Sequence, residues 1–185
     1  MHDQRVFELH QQPDRARLLL EAARYLNETL EPGRIHDRFR DLLAEAVPHG
    51  GVVVSSYDET EGLIRCDYAW VDGNRLQPDI FPPLPLNREG GGMQSRVIMT
   101  GEALLVNDVA EQVKDPRGVF YDVDREGQIR KLPDEGPPGV QAAMMIPVKH
   151  EGRVVGVVQL MNDRVPYSGD QLALAEALVG LMGAA

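Results

Sequence analysis

Hydrophobic residues near the start of the chain recur at steps of three and four, the spacing that places side chains on one face of an α-helix. This pattern predicts a helix over residues 14–30, whose apolar stripe consists of Leu19, Ala22, Leu26 and Leu30. The same periodicity predicts helices over 35–47 and 168–182, the second with an apolar stripe at Leu172, Ala175, Leu178, Val179 and Met182. Ser168 precedes the last helix and is its expected N-cap, because a serine hydroxyl can accept a hydrogen bond from a free backbone amide.

The period changes to two after residue 50, as is typical of β-strands. Strands are predicted over 51–58 and 63–71, and the second has one apolar face formed by Ile64, Cys66, Tyr68 and Trp70. A short helix over 93–100 and a short strand over 102–108 follow. Hairpin-length connections favour antiparallel pairing, so we expect an α+β fold. Its central antiparallel sheet would have five or six strands, with the three amphipathic helices on one face and loops and the short helix on the other.

Residues 144–162 are predicted to form two apolar strands joined at a short charged turn, which supply the centre of the sheet. The second strand carries a nearly continuous apolar run that predicts burial on both faces, at Val154, Val155, Val157 and Val158. Gly156 has no side chain, so a helix could pack closely there. Gln159 is expected on the face opposite the helices, where a buried amide needs a polar partner such as loop backbone, water or a ligand.

The chain of 185 residues is long enough for one domain with a sizeable core. We expect a single domain over 14–185, preceded by an N-terminal extension at 1–13. The segment 109–139 is polar and contains several glycines and prolines. It is predicted to be a long insertion-like loop that acts as a lid or a partner surface.

The formal net charge of −10 narrows the functional classes. Phosphate binding needs clustered Lys and Arg, so direct binding to nucleic acid is disfavoured, and the charge would also repel an anionic membrane surface. No apolar stretch approaches the roughly 20 residues that span a bilayer, and the start of the chain has no apolar signal-peptide core. The only cysteine is Cys66, which excludes an intrachain disulfide. We therefore expect a cytoplasmic protein.

Three stretches of the sequence carry a family resemblance: "TGEALLVND" at 100–108, "AAMMIPVKHEGRVVGVVQLMN" at 142–162 and "YSGDQLALAEALVGLM" at 167–182. They resemble, in this order, the short-strand signature, the strongest signature and the closing helix of GAF domains. The resemblance implies a regulatory module of a cytoplasmic signal-transduction protein rather than an enzyme. It also implies a ligand site between the sheet and a covering layer of loops and short helices, and a homodimer formed through the terminal helices.

The favoured interpretation is a non-catalytic sensor that binds a small molecule and controls an adjacent output domain such as a histidine kinase, phosphatase or cyclase. The alternative is a structural domain that dimerises and transmits without a ligand. Trp70 could equally belong to the core, and the terminal helix stripes could equally cover the sheet. The ligand and any cofactor are unknown. The residues expected to line the ligand site are Trp70, Met93, Arg96, Asn107, Asp108, Tyr121, Met145 and Gln159.

The residues that known classes of GAF ligand require are incomplete here. Cyclic-nucleotide GAF domains carry an Asn-Lys pair and then an Asp-Glu pair, whereas here Asn162 is followed by Asp163 and Asp170 by Gln171. Two carboxylates would repel each other where that class has opposite charges. Bilin attachment uses a cysteine beside a histidine, and Cys66 has no such neighbour. The methionine sulfoxide reductases of the family need several cysteines, because one cysteine cannot resolve its own sulfenate as a disulfide.

Residues 122–129 resemble the first half of an EF-hand calcium loop, with acidic side chains at Asp122, Asp124 and Glu126. The twelfth position of such a loop needs a bidentate Glu but holds Pro133. The segment is therefore predicted to be a charged hairpin turn, with a weak calcium site as the alternative.

Overall fold

The computed structural model describes residues 15–25, 32–123 and 127–184. The helices are α1 (15–25), α2 (Pro32–Ala46), α3 (Met93–Thr100), α4 (Val109–Gln112) and α5 (Gly169–Ala184). The strands are β1 (Gly51–Asp58), β2 (Leu63–Val71), β3 (Asn74–Leu76), β4 (Leu84–Pro85), β5 (Leu104–Val106), β6 (Phe120–Val123), β7 (Ile129–Leu132), β8 (Ala142–His150) and β9 (Arg153–Asn162). A single 3₁₀ turn covers Pro78–Ile80.

The main sheet has the strand order β3-β2-β1-β9-β8-β5, with β4 paired to the start of β2, and all of its pairs are antiparallel. The β8–β9 hairpin and β1 occupy the middle of the sheet, as the sequence predicts. The sheet has seven strands rather than five or six. The difference arises because β3 and β4 are only 3 and 2 residues long, which is too short to give a periodic pattern.

The three amphipathic helices cover one face of the sheet, which confirms the predicted layer arrangement. Phe39 and Leu43 of α2 pack with Met144 and Leu160 of the hairpin in one apolar cluster. Each large side chain buried in this way stabilises the fold by about 1.5–3 kcal/mol relative to exposure. The predicted stripe of α5 also belongs to this cluster and is almost fully buried, at Ala175, Leu178 and Val179. The stripe therefore covers the sheet.

The ends of the helices agree with the sequence at one boundary and differ at another. Ser168 caps α5 as predicted: the backbone N–H of Gln171 donates to Ser168 Oγ at 3.2 Å, and the backbone N–H of Ser168 donates to the side-chain Oε1 of Gln171 at 2.9 Å. α2 begins at Pro32 rather than at residue 35, since proline suits the first helical turn, where its missing N–H costs nothing. Leu26 and Leu30 lie outside the described residues.

A bulge in β2 moves its side chains from one face of the sheet to the other. Val54 of β1 pairs with Tyr68, but the next residue, Ser55, pairs with Cys66, so Asp67 is the extra residue. The prediction that Cys66 and Tyr68 share a face is therefore wrong. Tyr68 packs under the helices, whereas Cys66 faces the opposite side.

The segment 109–139, predicted to be a long insertion-like loop, contains regular secondary structure. It contains α4 and the β6–β7 hairpin, which forms a separate two-stranded sheet. Phe120 and Leu132 bring this hairpin into a second apolar cluster, together with Ala143 and Met145 of β8. The segment thus covers the sheet face that the helices leave open.

A second bulge lies in β9 beside Gly156. Val148 pairs with Gly156 and Lys149 pairs with Val154, so Val155 is the extra residue and is 40% exposed instead of buried. The absent side chain of Gly156 makes room for a strand rather than a helix, because a Cβ there would collide with the carbonyl oxygen of Ser55 in β1. The pairing of the strands therefore corrects two predictions: the burial of Val155 and the close packing of a helix at Gly156.

Gly156→Ala is expected to destabilise the protein by about 1–3 kcal/mol, because the added methyl group would push β9 away from β1. Urea unfolding measures this change. The matched control is Gly180→Ala in α5, where a Cβ meets no atom within 4 Å. That variant should gain about 0.5–1 kcal/mol from better helix propensity. Equal stabilities for the two variants would contradict the close approach of β1 and β9.

Candidate functional site

A cavity of about 1020 Å³ lies between the sheet and its non-helical cover. The sheet contributes side chains from β1, β2, β8 and β9, and the cover contributes α3, α4 and the β6–β7 hairpin. The apolar part of the lining includes three methionines, whose flexible thioethers can adapt to ligands of different shape: Met93, Met145 and Met161. The cavity is therefore a large space with an apolar, adaptable wall.

Four of the eight residues predicted to bind a ligand line this cavity: Met93, Tyr121, Met145 and Gln159. Met145 and Gln159 are direct cross-strand partners in β8 and β9. The other four lie outside the lining. Whether any of the eight binds a ligand stays a prediction.

Trp70 is directed away from the cavity by the β2 bulge and packs against the helix-side cluster. The guanidinium of Arg40 lies 5.3 Å from the centre of its ring. Arg96 reaches across to α4, where its Nη2 donates to Gln112 Oε1 at 3.4 Å. The positions of both side chains are explained by packing between neighbouring elements.

Asn107 and Asp108 hold backbone together at the edge of the sheet. Asn107 Nδ2 donates to the carbonyl of Tyr167 at 2.9 Å, and the Tyr167 N–H donates back to Asn107 Oδ1 at 2.7 Å. Asp108 caps α4 by accepting from the N–H of Glu111 at 3.0 Å. These two residues fix the entry to the segment 109–139 rather than facing the cavity.

The amide of Gln159 lies on the cavity side of β9, as the sequence predicts. Its Nε2 donates to Met161 Sδ at 3.0 Å, and this is its only side-chain hydrogen bond among the described residues. A thioether sulfur is a weak acceptor. Most of the hydrogen-bonding capacity of this amide is therefore directed at the cavity.

Two further polar groups of the lining are buried without a partner. Within the described ranges, three buried side-chain polar atoms have no hydrogen-bond partner, and two of them, Gln94 Oε1 and Arg130 Nε, belong to cavity residues. A buried polar atom left unpaired costs roughly 1–3 kcal/mol. Because these two atoms have almost no accessible surface, they are enclosed within the wall rather than open to the cavity.

Sequence reasoning missed both Gln94 and Arg130. Gln94 directly follows Met93 at the start of α3, and only its position in the fold shows that its carbonyl is unpaired. Arg130 lies in the alternating sequence "IRKL" of β7, which could have signalled a strand within the segment 109–139.

Arg130 and Asp122 form the least exposed ion pair of the cavity wall. Arg130 Nη2 lies 2.8 Å from Asp122 Oδ2, and their side chains are 29% and 11% exposed. Asp122 also accepts hydrogen bonds from the backbone N–H groups of Gly139 and Val123, each at 2.8 Å. This carboxylate is therefore committed to the hairpin rather than free to bind calcium. Asp124 and Glu126 lie outside the described residues.

Six charged side chains among the described residues line the cavity. They are three aspartates and three arginines, so the formal charges of these six sum to zero. Apart from the Arg130–Asp122 pair, these side chains lie toward solvent; Arg164, for example, is 86% exposed. The six are Asp72, Asp122, Asp163, Arg117, Arg130 and Arg164.

Cys66 also lines the cavity, but its thiol is poorly suited to nucleophilic chemistry. Burial, with a smaller contribution from the neighbouring Asp67 carboxylate, raises the pKa of the Cys66 thiol from 9.0 to about 12. The thiolate is the reactive form and is scarce at neutral pH when the pKa is this high.

Within residues 15–25, 32–123 and 127–184, no three His, Cys, Asp or Glu side chains are grouped so as to hold a metal ion. The helices in the same ranges include none that is both long enough and apolar enough to cross a membrane.

Comparison with known proteins identifies the family. The model of the GAF domain matches residues 34–185, which is most of the chain, and the chain therefore belongs to the GAF family. A comparison with curated proteins finds no sequence that matches.

Solved structures share the same fold at low sequence identity. The GAF domain of a phosphoenolpyruvate-protein phosphotransferase from Coxiella burnetii is 14% identical, with a TM-score of 0.67 over 91% of this chain and 90% of that one. A free methionine-R-sulfoxide reductase from Neisseria meningitidis, in complex with its substrate, is 13% identical, with a TM-score of 0.58 over 91% and 87%. Residues 122 to 287 of a methyl-accepting chemotaxis protein are 12% identical, with a TM-score of 0.61 over 88% and 92%. The same fold thus occurs in a signalling protein and in an enzyme.

Cys66 should react with iodoacetamide at pH 8 on the order of a hundredfold more slowly in the folded protein than in urea, because its raised pKa leaves little thiolate. The same shift adds stability below about pH 9, and this stability should be lost as the pH rises from 9 toward 12, since the unfolded thiol ionises first. Mass spectrometry follows the alkylation. Equal rates in folded and unfolded protein would contradict the burial of this thiol.

Proposed function

We propose that this chain is a non-catalytic sensory module of a cytoplasmic signal-transduction protein, which binds a small organic molecule and controls an adjacent output domain. The observation that carries the proposal is the cavity of about 1020 Å³ on the Gln159 face of the sheet. Ligand sites in proteins are commonly clefts of roughly 300–1,000 Å³ with an apolar wall and a few polar groups. The cavity has both features.

A route from the cavity to α5 supports the sensory part of the proposal. β8 faces the cavity with Ala143 and Met145 and faces the helices with Met144 and Ile146. At the end of β8, the ring of His150 is 3.1 Å from the carbonyl oxygen of Gly183 in α5. A ligand that displaced β8 would therefore act directly on α5. A ligand changes the equilibrium between two conformations only if it binds one of them more tightly, and a different position of β8 would provide that difference in affinity.

The lining chemistry supports a binding role rather than a catalytic one. The thiol of Cys66 has a raised pKa, and the least exposed carboxylate of the wall is already paired with Arg130. No nucleophile held by a base and an orienting group is present among the described lining residues. We therefore propose that the chain senses a ligand without converting it.

A metabolite panel tested by thermal shift should contain at least one compound that raises the melting temperature in a concentration-dependent way, because a ligand that binds only the folded state stabilises it. Ser55→Phe should abolish the shift, since Ser55 is buried on β1 and lines the cavity. Met99→Ser, on the exposed side of α3, is the control and should leave the shift intact.

The absence of any stabilising compound would count against the ligand-binding role. A shift that survives Ser55→Phe would place the binding elsewhere on the protein. Circular dichroism checks that Ser55→Phe is folded, and Val53→Phe on the same strand face serves if it is not.

We also propose, as the second candidate, that the module forms a homodimer through its terminal helices. Leu20 of α1 is 59% exposed, and α5 carries only two charged residues in its 16 positions. The described residues of the predicted α1 and α5 stripes pack into the helix-side cluster, so the contact would involve the outward residues of these helices. A second copy of the chain would remove these apolar groups from water.

Leu20→Glu should raise the dimer dissociation constant, measured by sedimentation equilibrium, by roughly tenfold or more, because it would place a charge in the apolar contact. Val165→Glu is the matched control, since Val165 is 49% exposed in the loop before α5. A wild-type chain that is monomeric at micromolar concentration would exclude this interface.

A further inference from the structure

The floor of the cavity is formed by β1, β2, β8 and β9, and the hydrogen-bonding side chains on it are uncharged. All four strands are described in full, and none of their residues that line the cavity is Asp, Glu, Lys or Arg. The floor residues whose side chains can form hydrogen bonds are Ser55, Cys66 and Gln159. The charged residues of the lining lie beyond the ends of these strands or in the cover. A ligand on the floor therefore meets neutral polar groups.

Gln159 lies in the middle of this floor, and its amide is open to the cavity. Its partners across the sheet are Val53 in β1 and Met145 in β8. Its Nε2 donates to Met161 Sδ at 3.0 Å, which leaves a second N–H on the same nitrogen. Its Oε1 accepts no hydrogen bond from the described residues, and it is not one of the polar atoms enclosed in the wall. The amide thus presents a free acceptor and a donor side by side in one plane.

The surroundings of this amide are apolar. Val53 and Met145 flank it on the neighbouring strands, and Val157 and Met161 lie before and after it on the same face of β9. In such surroundings few water molecules compete for a hydrogen bond, whereas an amide without a good partner is costly. Gln159 is therefore the one polar anchor of an otherwise apolar region of the floor.

The group that best complements a planar amide is another amide-type group. A ligand with a carbonyl and an N–H on the same side can donate to Gln159 Oε1 and accept from Gln159 Nε2 at the same time. A carboxylate has only acceptors, so one of its oxygens would face Oε1 without a hydrogen. An ammonium group has only donors and would face the hydrogens of Nε2. A ketone can use the donor but leaves the acceptor unpaired.

We propose that the ligand of this cavity carries an amide-type group, with a carbonyl and an N–H on the same side, that pairs with the side-chain amide of Gln159. Lactams, cyclic imides and primary carboxamides attached to an apolar ring system belong to this class. The inference rests on the proposed function and specifies the ligand of its cavity. It makes Gln159 the residue that determines specificity.

The test uses two sets of small molecules and isothermal titration with the full chain. The first set shares a naphthalene body and carries a carboxamide, a methyl ketone, a carboxylate or a methyl group. The second is a bicyclic lactam and its N-methyl derivative, which distinguishes a ring lactam from a primary amide. The carboxamide and the unsubstituted lactam should bind about five- to tenfold more tightly than the other members of their sets, because the others leave at least one hydrogen bond unmade.

Gln159→Met keeps the length of the side chain but removes both the donor and the acceptor, so the preference for an amide should disappear. The melting temperature should stay the same or rise, since a half-buried amide with only a thioether partner is replaced by an apolar group. The matched control is Gln141→Met, because Gln141 is exposed and lies outside the cavity lining. It should keep the preference. Circular dichroism checks the fold of Gln159→Met, and Gln159→Leu replaces it if it is unfolded.

Three results would overturn this ligand class: equal binding of the carboxamide and the ketone, tightest binding of the carboxylate, or an amide preference that survives Gln159→Met. A lower melting temperature of Gln159→Met with an unchanged preference would assign the amide to the fold instead.

The metabolite panel separates this inference from the function beneath it. If panel compounds bind and are lost in Ser55→Phe but are indifferent to Gln159→Met, only the ligand class fails. If panel compounds alone bind, the inference requires that they carry the amide-type group and lose affinity in Gln159→Met. If neither the panel nor the two sets contain a compound that binds, the proposed sensory function fails as well.

Discussion

The central sheet has to bury two different faces, and every other element is placed by this constraint. In β8, alternate residues face the helices and the cavity, so Met144 and Met145 belong to different clusters. A slip of one residue would exchange the two sets. Pairing with β9 fixes the register and places Gln159 directly opposite Met145. The polar group in the cavity is therefore a consequence of the same alternation that builds the core.

The bulge of β2 shows where alternation alone misleads. The sequence from Ile64 to Trp70 has a regular period of two, yet the strand changes face at Asp67. The extra residue is accommodated because Asp67 is exposed and its carboxylate accepts from Ser56 Oγ at 3.0 Å. Nothing in the local pattern marks this position, since a bulge is defined by the partner strand. Trp70 consequently joins the helical side while Cys66 joins the cavity.

The elements that local signals define could be predicted, and the cover of the cavity could not. Periodicity and capping residues identified α3, α5, β1, β2 and the β8–β9 hairpin. The cover depends instead on contacts between distant residues, such as those of Asn107 with Tyr167, which are 60 positions apart. Of the predicted residues that line the cavity, Met93, Met145 and Gln159 were placed by the elements that carry them, whereas Tyr121 lies in the segment predicted to be a loop. Gln94 and Arg130 were missed because an unpaired atom exists only in the folded arrangement.

The compensated ion pair of the cavity wall has a physical cause and a structural consequence. A guanidinium placed in a partly desolvated wall is costly unless a carboxylate compensates it, and Asp122 does this for Arg130. The same carboxylate holds the backbone of Gly139, just before β8. The hairpin of the cover is therefore tied, through one carboxylate, to the approach to the strand that packs against α5.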